Sequence, residues 1–207
     1  MQTAFQPEKL INENTQLIQD LIDYCDQTNT EGFLLFCDQD SAYPRVDWEY
    51  MLSMMAHMNI HEDLIHLVRR MYEGIRLRFK VNGKTDTHTV HPSNGVHQGD
   101  PLSPLLYLIC IQGFISLLHQ DSHKPNGIRG IKIPRAHTNT NLELLASCFA
   151  DDLCAPLANA DQLPRFRTLL KIYEVGTGAQ NSWPKTTALR IGAGRESDYL
   201  PDGWVEG

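Results

Sequence analysis

The sequence predicts an α+β fold, in which helices pack against a small sheet that carries acidic residues. Three observations predict it. Several segments place apolar residues at helical spacing, two short apolar runs of strand length end on acidic residues, and one run alternates apolar and basic side chains before an Asn-Gly turn. With 207 residues, 42% of them hydrophobic, the chain can bury one real core, consistent with one domain or one and a half.

Residues 12–24 carry Leu17, Ile18, Leu21 and Ile22 at helical spacing and read as an amphipathic helix that stops before the polar Asp26-Gln27-Thr28-Asn29 turn. Residues 33–37 are a short buried strand with Asp38 at its carboxyl end. Pro44 interrupts the segment after that strand, and 48–58 resumes as a helix with Tyr50, Met51, Met54 and Met55 available for packing. A further helix spans 62–74, its apolar set being Leu64, Ile65, Leu67, Val68, Met71 and Tyr72. Strict alternation then runs from Ile75 to Val81, Asn82-Gly83 makes a tight turn, and 85–90 returns as the second arm of a hairpin. A polar loop from Ser93 to Pro101 leads into a helix over 102–118, started by Pro101 and Ser103. Strands are expected at 127–133 and 142–150, a helix at 161–173, and an irregular tail after Ala193.

The composition narrows the function classes. Five scattered cysteines, an odd number with no Cys-x-x-Cys pair, argue for buried free thiols in a reducing compartment and against a disulfide framework or a zinc site. No signal peptide is visible, and the apolar stretch at 101–118 is broken by Ser103, Gln112 and Ser116, so no membrane span is expected. A net charge of -7 argues against a general nucleic-acid binder. Its distribution softens that objection, because Arg69, Arg70, Arg76, Arg78, Lys80 and Lys84 stand against the single acid Glu73 in one tract. Such a tract reads either as a solvated face or as a surface that tracks a nucleic-acid backbone.

The chemistry concentrates in carboxylates. Asp151 and Asp152 come directly after the apolar run that ends at Phe149-Ala150, and Asp38 comes directly after the other apolar strand. Only a tertiary fold can bring these groups together, and three carboxylates beside two strands make an acidic pocket that bound divalent cations would neutralise. Two such carboxylates can bridge a pair of ions about 4 Å apart, one activating an attacking hydroxyl and one steadying a leaving phosphate.

The order of four blocks makes the reading more specific. The segment Phe36-Cys37-Asp38-Gln39-Asp40-Ser41-Ala42-Tyr43-Pro44-Arg45-Val46 precedes Gly95-Val96-His97-Gln98-Gly99-Asp100-Pro101-Leu102-Ser103-Pro104, then come Phe149-Ala150-Asp151-Asp152 and Asn181-Ser182-Trp183-Pro184-Lys185-Thr186. In that order they resemble the catalytic blocks of the reverse transcriptases of non-LTR, LINE-like retrotransposons. The segment Gln2 to Lys9 is similar to the join between fingers and palm, so the resemblance covers about residues 2 to 192.

The resemblance implies a polymerase palm, an antiparallel sheet packed against helices with fingers and thumb largely missing. It divides the chain into a connecting helix at 1–30, a palm at 31–192 and a tail at 193–207. It implies RNA-templated DNA synthesis, with Asp38 and Asp151 holding two Mg2+ ions, Mn2+ being an alternative, and Asp152 supporting the same site. Tyr43 would lie beneath the sugar of the incoming deoxynucleoside triphosphate and crowd a 2'-hydroxyl; by itself it reads equally as a half-buried core residue. Gln98, Gly99 and Asp100 would shape the template and nucleotide pocket, Lys185 would approach the phosphates or donate a proton, and Arg69, Arg70, Arg76 and Arg78 would touch the nucleic-acid backbone.

Two positions depart from the family pattern: Pro44 stands where Asp is usual, and His97 where Arg is common. The partners implied are an RNA template with a DNA primer, deoxynucleoside triphosphates, and fingers, thumb or endonuclease regions of a parent protein; no membrane is implied. The setting expected is intracellular, nuclear or cytoplasmic, and not secreted. Without flanking supports, synthesis by the isolated chain is expected to be weak or absent. The alternatives are a catalytically inactive retrotransposon fragment with a structural or interaction role, and a nuclease built on the same acidic metals.

Overall fold

The computed structural model describes residues 11–85, 88–134, 140–149 and 152–196. The chain opens with helix α1 (Ile11–Thr28), whose Leu21 and Cys25 are buried, and turns into strand β1 (Gly32–Cys37). A 3-10 turn at Tyr43–Arg45 precedes helices α2 (Trp48–His57) and α3 (Glu62–Glu73). Each of these two helices starts on a side chain that takes up a free backbone N–H: Asp47 accepts from Tyr50 N at 2.8 Å, and His61 Nδ1 accepts from Asp63 N at 3.3 Å.

The hairpin is shorter than its alternation suggests. Among the described residues, regular pairing is confined to β2 (Lys80–Val81) and β3 (Lys84–Thr85), with one further bridge joining Leu77 to Val90. Next in the chain come helix α4 (Ser103–Ser122), β4 (Ile131–Pro134), β5 (Asn141–Leu144), β6 (Ser147–Phe149), β7 (Asp152–Leu157), helix α5 (Leu163–Thr177) and β8 (Thr187–Ile191). Gly178, at φ 76°, ends α5 in a left-handed conformation that glycine adopts without steric cost.

The main sheet has the order β6-β7-β1-β8, and all three pairings are antiparallel. Strand alternation sends Phe33, Leu35 and Cys37 to one face, where α2, α3, α4 and α5 supply Met51, Val68, Tyr107, Phe114 and Phe166. Leu34 and Phe36 go to the other face, beneath Leu21 and Cys25 of α1. The fold is therefore the expected α+β arrangement of an antiparallel sheet against helices.

Three sequence readings need correction. The predicted strand over 142–150 is two strands in different sheets, since β5 pairs with β4 while β6 pairs with β7. The crossing brings the Leu144 carbonyl so close to Gly130 that a Cβ there would lie 1.8 Å from it. Strands β7 and β8 escaped prediction. Leu153 to Leu157 is a continuous apolar run containing Pro156, which a sheet tolerates here because β6 stops before reaching it. Helix α4 is long and apolar enough to cross a membrane, contrary to the sequence reading, but it is the central core helix, with Leu106, Cys110, Ile111, Phe114 and Leu118 buried.

All five cysteines are free and buried. Burial pushes the Cys110, Cys148 and Cys154 thiols up to about 12, so they pack as small apolar groups.

The C-terminal end of α4 is fixed by one fully buried carboxylate. Asp121 pairs with Arg165 of α5 and with Lys124 at 3.0 Å, and accepts from Ile128 N at 2.9 Å. Arg165 above all holds its carboxyl well below the usual range, with the Ile128 N–H and Lys124 acting in the same direction against burial. Because the folded-state value is depressed, this stabilisation is complete above the unfolded carboxylate value, declines below it, and is lost only as pH falls through the lower folded value. Asp121→Ala should cost about 3–5 kcal/mol and lower Tm by roughly 10 °C at neutral pH. The difference from the parent chain should shrink in melts recorded towards pH 3.

Candidate active site

Asp38 sits where β1 changes partners. Through Cys37, opposite Leu153, the strand pairs with β7. Beyond it, the Asp38 carbonyl accepts from Ser182 N at 2.8 Å, Gln39 bridges Asn181, and Asp40 N donates to Gln180 O at 2.8 Å. The register leaves Asp38 and Asp152 as the next residues on two neighbouring strands, on the same side of the sheet by alternation. Asp152 also stands opposite Phe149 in the β6–β7 pair. Ala150 and Asp151, between those two residues, lie outside the described residues.

The fourth sequence block closes over the first. Once Ser182 is bonded to Asp38, the 3-10 turn Trp183–Lys185 carries the Lys185 ammonium back to 3.4 Å from Asp38 Oδ2. That oxygen is covered and accepts no hydrogen bond, although the side chain as a whole is 43% exposed. A carboxylate oxygen with a single long ionic contact among the described residues is under-coordinated there, which is the condition in which a hard cation binds well. Asp38 with neighbouring Asp152 therefore fits an oxygen-seeking divalent ion by donor type. Among the described residues no three His, Cys, Asp or Glu side chains cluster as a metal site.

A cleft of about 400 Å³ opens between α1 and this end of the sheet, lined by Asn14, Thr15, Phe36, Ser147, Asp152 and Cys154 among others. Asn14 Nδ2 ties α1 to the Cys148 carbonyl at 2.8 Å, while Asn14 Oδ1 and Ser147 Oγ are buried without a hydrogen-bond partner among the described residues.

Two hydrogen bonds pin the second block to the first, and a third ties it to Trp48 at the start of α2. Gly95 N donates to Val46 O at 2.7 Å, Val96 N donates to Tyr43 O at 2.9 Å, and Trp48 Nε1 donates to Gly95 O at 2.9 Å. Gly95 has φ 90°, and a Cβ there would lie 2.7 Å from Pro44 O, so only glycine lets the segments meet. Pro44 sits in the first turn of the 3-10 helix, where its missing N–H costs nothing.

Tyr43 is half-buried and stacks on buried Tyr107 of α4, with ring centroids 5.0 Å apart and planes 14° from parallel. Tyr107 in turn donates its hydroxyl to Gln39 Oε1 at 2.8 Å. Gln39 and Tyr107 were not singled out in the sequence. Gln39 is the residue after Asp38, but Tyr107 lies within an apolar helical run and gave no signal of its own.

The remaining expected residues divide between the loop before α4 and the basic tract. Asp100 Oδ1 accepts from Leu102 N at 3.0 Å and so holds the start of α4, while Gln98 and Gly99 are exposed in the preceding turn. His97 lies beside Tyr72, ring centroids 6.3 Å apart. Arg69 is drawn to Glu49 at 2.8 Å and to Glu73 at 3.9 Å, whereas Arg70, Arg76 and Arg78 are exposed.

An antiparallel sheet with acids at the β1 end and beside the β6–β7 turn, backed by helices, defines a polymerase palm. Residues 1–200 match the family described as reverse transcriptase (RNA-dependent DNA polymerase), and the chain belongs to that family. The relatives are proteins of transposable elements. A protein described as transposon TX1 uncharacterized 149 kDa protein, from Xenopus laevis, is 26% identical over 195 residues, which are 94% of this chain and 14% of that protein. The retrovirus-related Pol polyprotein from type-1 retrotransposable element R2 of Nasonia vitripennis is 27% identical over 106 residues, 51% of this chain and 10% of its own length. The resemblance to non-LTR reverse transcriptases is thus borne out, and the chain spans a small part of either relative.

Solved structures share the fold. Apo telomerase from Candida tropicalis, truncated from its C-terminal domain, aligns with TM-score 0.59 and 16% identity over 93% of this chain and 37% of the other. Candida tropicalis telomerase in complex with a fragment of telomeric RNA aligns with TM-score 0.63 and 14% identity over 89% of this chain and 30% of the other.

Two substitutions separate packing from charge at this site. Tyr107→Leu should cost about 2–4 kcal/mol by loss of the stack and of buried volume. Lys185→Met should change stability by less than about 1 kcal/mol, because both partners of its ion pair are substantially exposed. Denaturant unfolding of both variants checks the contrast.

Proposed function

We propose that this chain is the palm of an RNA-directed DNA polymerase that extends a DNA primer on an RNA template, with Asp38 and Asp151 as the metal-holding carboxylates and Asp152 supporting them. The observation that carries the reading is the β1–β7 register, which makes Asp38 and Asp152 neighbours, together with the under-coordinated Asp38 oxygen. Family membership supports the reaction class. Mg2+ bound there, or Mn2+, would lower the barrier to attack by the primer hydroxyl and neutralise charge on the departing phosphates.

The balance of the step is simple. The primer 3'-oxygen forms a bond to the α-phosphorus, the bond from that phosphorus to the bridging α–β oxygen breaks, pyrophosphate leaves, and the hydroxyl proton passes to solvent. Tyr43, held flat by Tyr107, offers a surface for the sugar of the incoming deoxynucleotide. Gln98, Gly99 and Asp100 lie on the loop that is bonded back to the Tyr43 turn, a placement that supports a role in seating template and nucleotide. Lys185 compensates Asp38 while no cation is bound; released, its ammonium is a cation beside the carboxylates, available to the phosphates or to a leaving group needing a proton.

Positioning supplies most of the catalysis in transfers of this kind, and the relatives are far longer than this chain. Synthesis by the isolated chain is therefore expected to be weak and to rise when flanking fingers and thumb are restored. The buried free thiols favour an intracellular setting, nuclear or cytoplasmic. In primer extension on an RNA template with Mg2+ or Mn2+, Asp38→Asn or Asp151→Asn should lower the rate by about a hundredfold or more. Metal-dependent extension undiminished in either variant would overturn the assignment.

A further inference from the structure

The hairpin after α3 is an exposed cationic element of an acidic protein. Arg76, Arg78, Lys80 and Lys84 are all exposed, and these four cations stand against a single acid, Asp86, in the sequence of residues 75–90. Several cations elsewhere are taken up by neighbouring acids: Arg45 by Asp40, Arg69 by Glu49, Lys124 and Arg165 by Asp121, Lys171 by Glu174, Arg195 by Asp26. None of the four hairpin cations pairs with an acid among the described residues.

Alternation sorts the first arm into two sides. Ile75 packs against the core, and Leu77 exchanges two backbone hydrogen bonds with Val90 at 2.9 Å each. Phe79, next on that side, has left the core behind and is 59% exposed. Arg76, Arg78 and Lys80 occupy the other side. Alternate residues of an extended strand are about 6.6 Å apart, a spacing comparable to that of successive phosphates along a nucleic-acid strand.

We propose that this hairpin is a contact for single-stranded nucleic acid, its phosphates lying along Arg76, Arg78 and Lys80 and an unpaired base stacking on Phe79. Charge selects a polyanion, and the exposed aromatic ring among the cations selects one that carries bases over a purely electrostatic partner. Arg69 has no part in this surface, because Glu49 and Glu73 hold it. The contact would steady template near the polymerase site but does not rest on that site's chemistry, since it is read by binding alone.

The test is fluorescence anisotropy of a labelled single-stranded RNA of about twelve nucleotides, titrated with the chain across a salt series. The triple variant Arg76→Gln, Arg78→Gln, Lys80→Gln should weaken binding and reduce the log–log salt slope by about 2. Phe79→Ala should weaken binding about tenfold with the slope unchanged. Asp38→Asn should bind as the parent does, so loss of polymerisation and loss of the hairpin contact are told apart. Circular dichroism and melting of each variant confirm that these exposed substitutions leave the fold intact. The proposal is overturned if the parent chain binds no RNA at low salt, if the triple variant keeps the parent's affinity and slope, or if Phe79→Ala binds as the parent does.

Discussion

The antiparallel pairing of β1 with β7 is the constraint on which the rest of the molecule depends. It runs from Phe33 opposite Leu157 to Cys37 opposite Leu153, so the acid after β1 and the acid that begins β7 have no freedom to drift apart. A slip of one residue would turn Asp38 to the face packed against α2, α3, α4 and α5, and Cys37 to the face beneath α1. Burial forbids that slip, because Phe33, Leu35 and Cys37 are almost fully buried against the helices. The hydrophobic pattern of a six-residue strand thereby fixes the address of the polar group at its end.

The helices supply the second half of the arrangement. Helix α4 passes behind the sheet and presents Tyr107 at the turn between Asp38 and the 3-10 helix, where it meets both the Tyr43 ring and the Gln39 amide. The loop before α4 is bonded to that same turn through Gly95 and Val96. Three segments distant in sequence thus share one rigid junction, and the Asp121 node clamps the far end of α4 to α5. These polar contacts are local, and each holds a segment that carries or supports a carboxylate.

Much of this was legible in the sequence, for physical reasons. Helices α1, α2 and α3 were visible because one face of each is apolar at helical spacing, and β1 because an unbroken apolar run ends on an acid. Asp38 and Lys185 were legible through their blocks, and the structure places them 3.4 Å apart. Strands β7 and β8 were not. The first is buried on both faces and so lacks alternation, and the second lies at the sheet edge, where Thr187 is exposed and Leu189 is 41% exposed. Arg69 read as a free cation because its partner Glu49 is on another helix, a contact that only tertiary packing creates. The Tyr43–Tyr107 stack was hidden for the same reason.

The balance of charge at the site gives the most direct check. Among the described residues, Asp38 is held by one ammonium at 3.4 Å and by no hydrogen bond to its Oδ2, so a cation has little to displace there. Electron paramagnetic resonance of Mn2+ titrated into the chain with a deoxynucleoside triphosphate measures whether Asp38 and the late acidic pair share ions. The account predicts that Asp38→Asn and Asp151→Asn each weaken Mn2+ binding by about tenfold or more, the double variant being little worse than either. Mn2+ bound by Asp38→Asn as tightly as by the parent chain would contradict it.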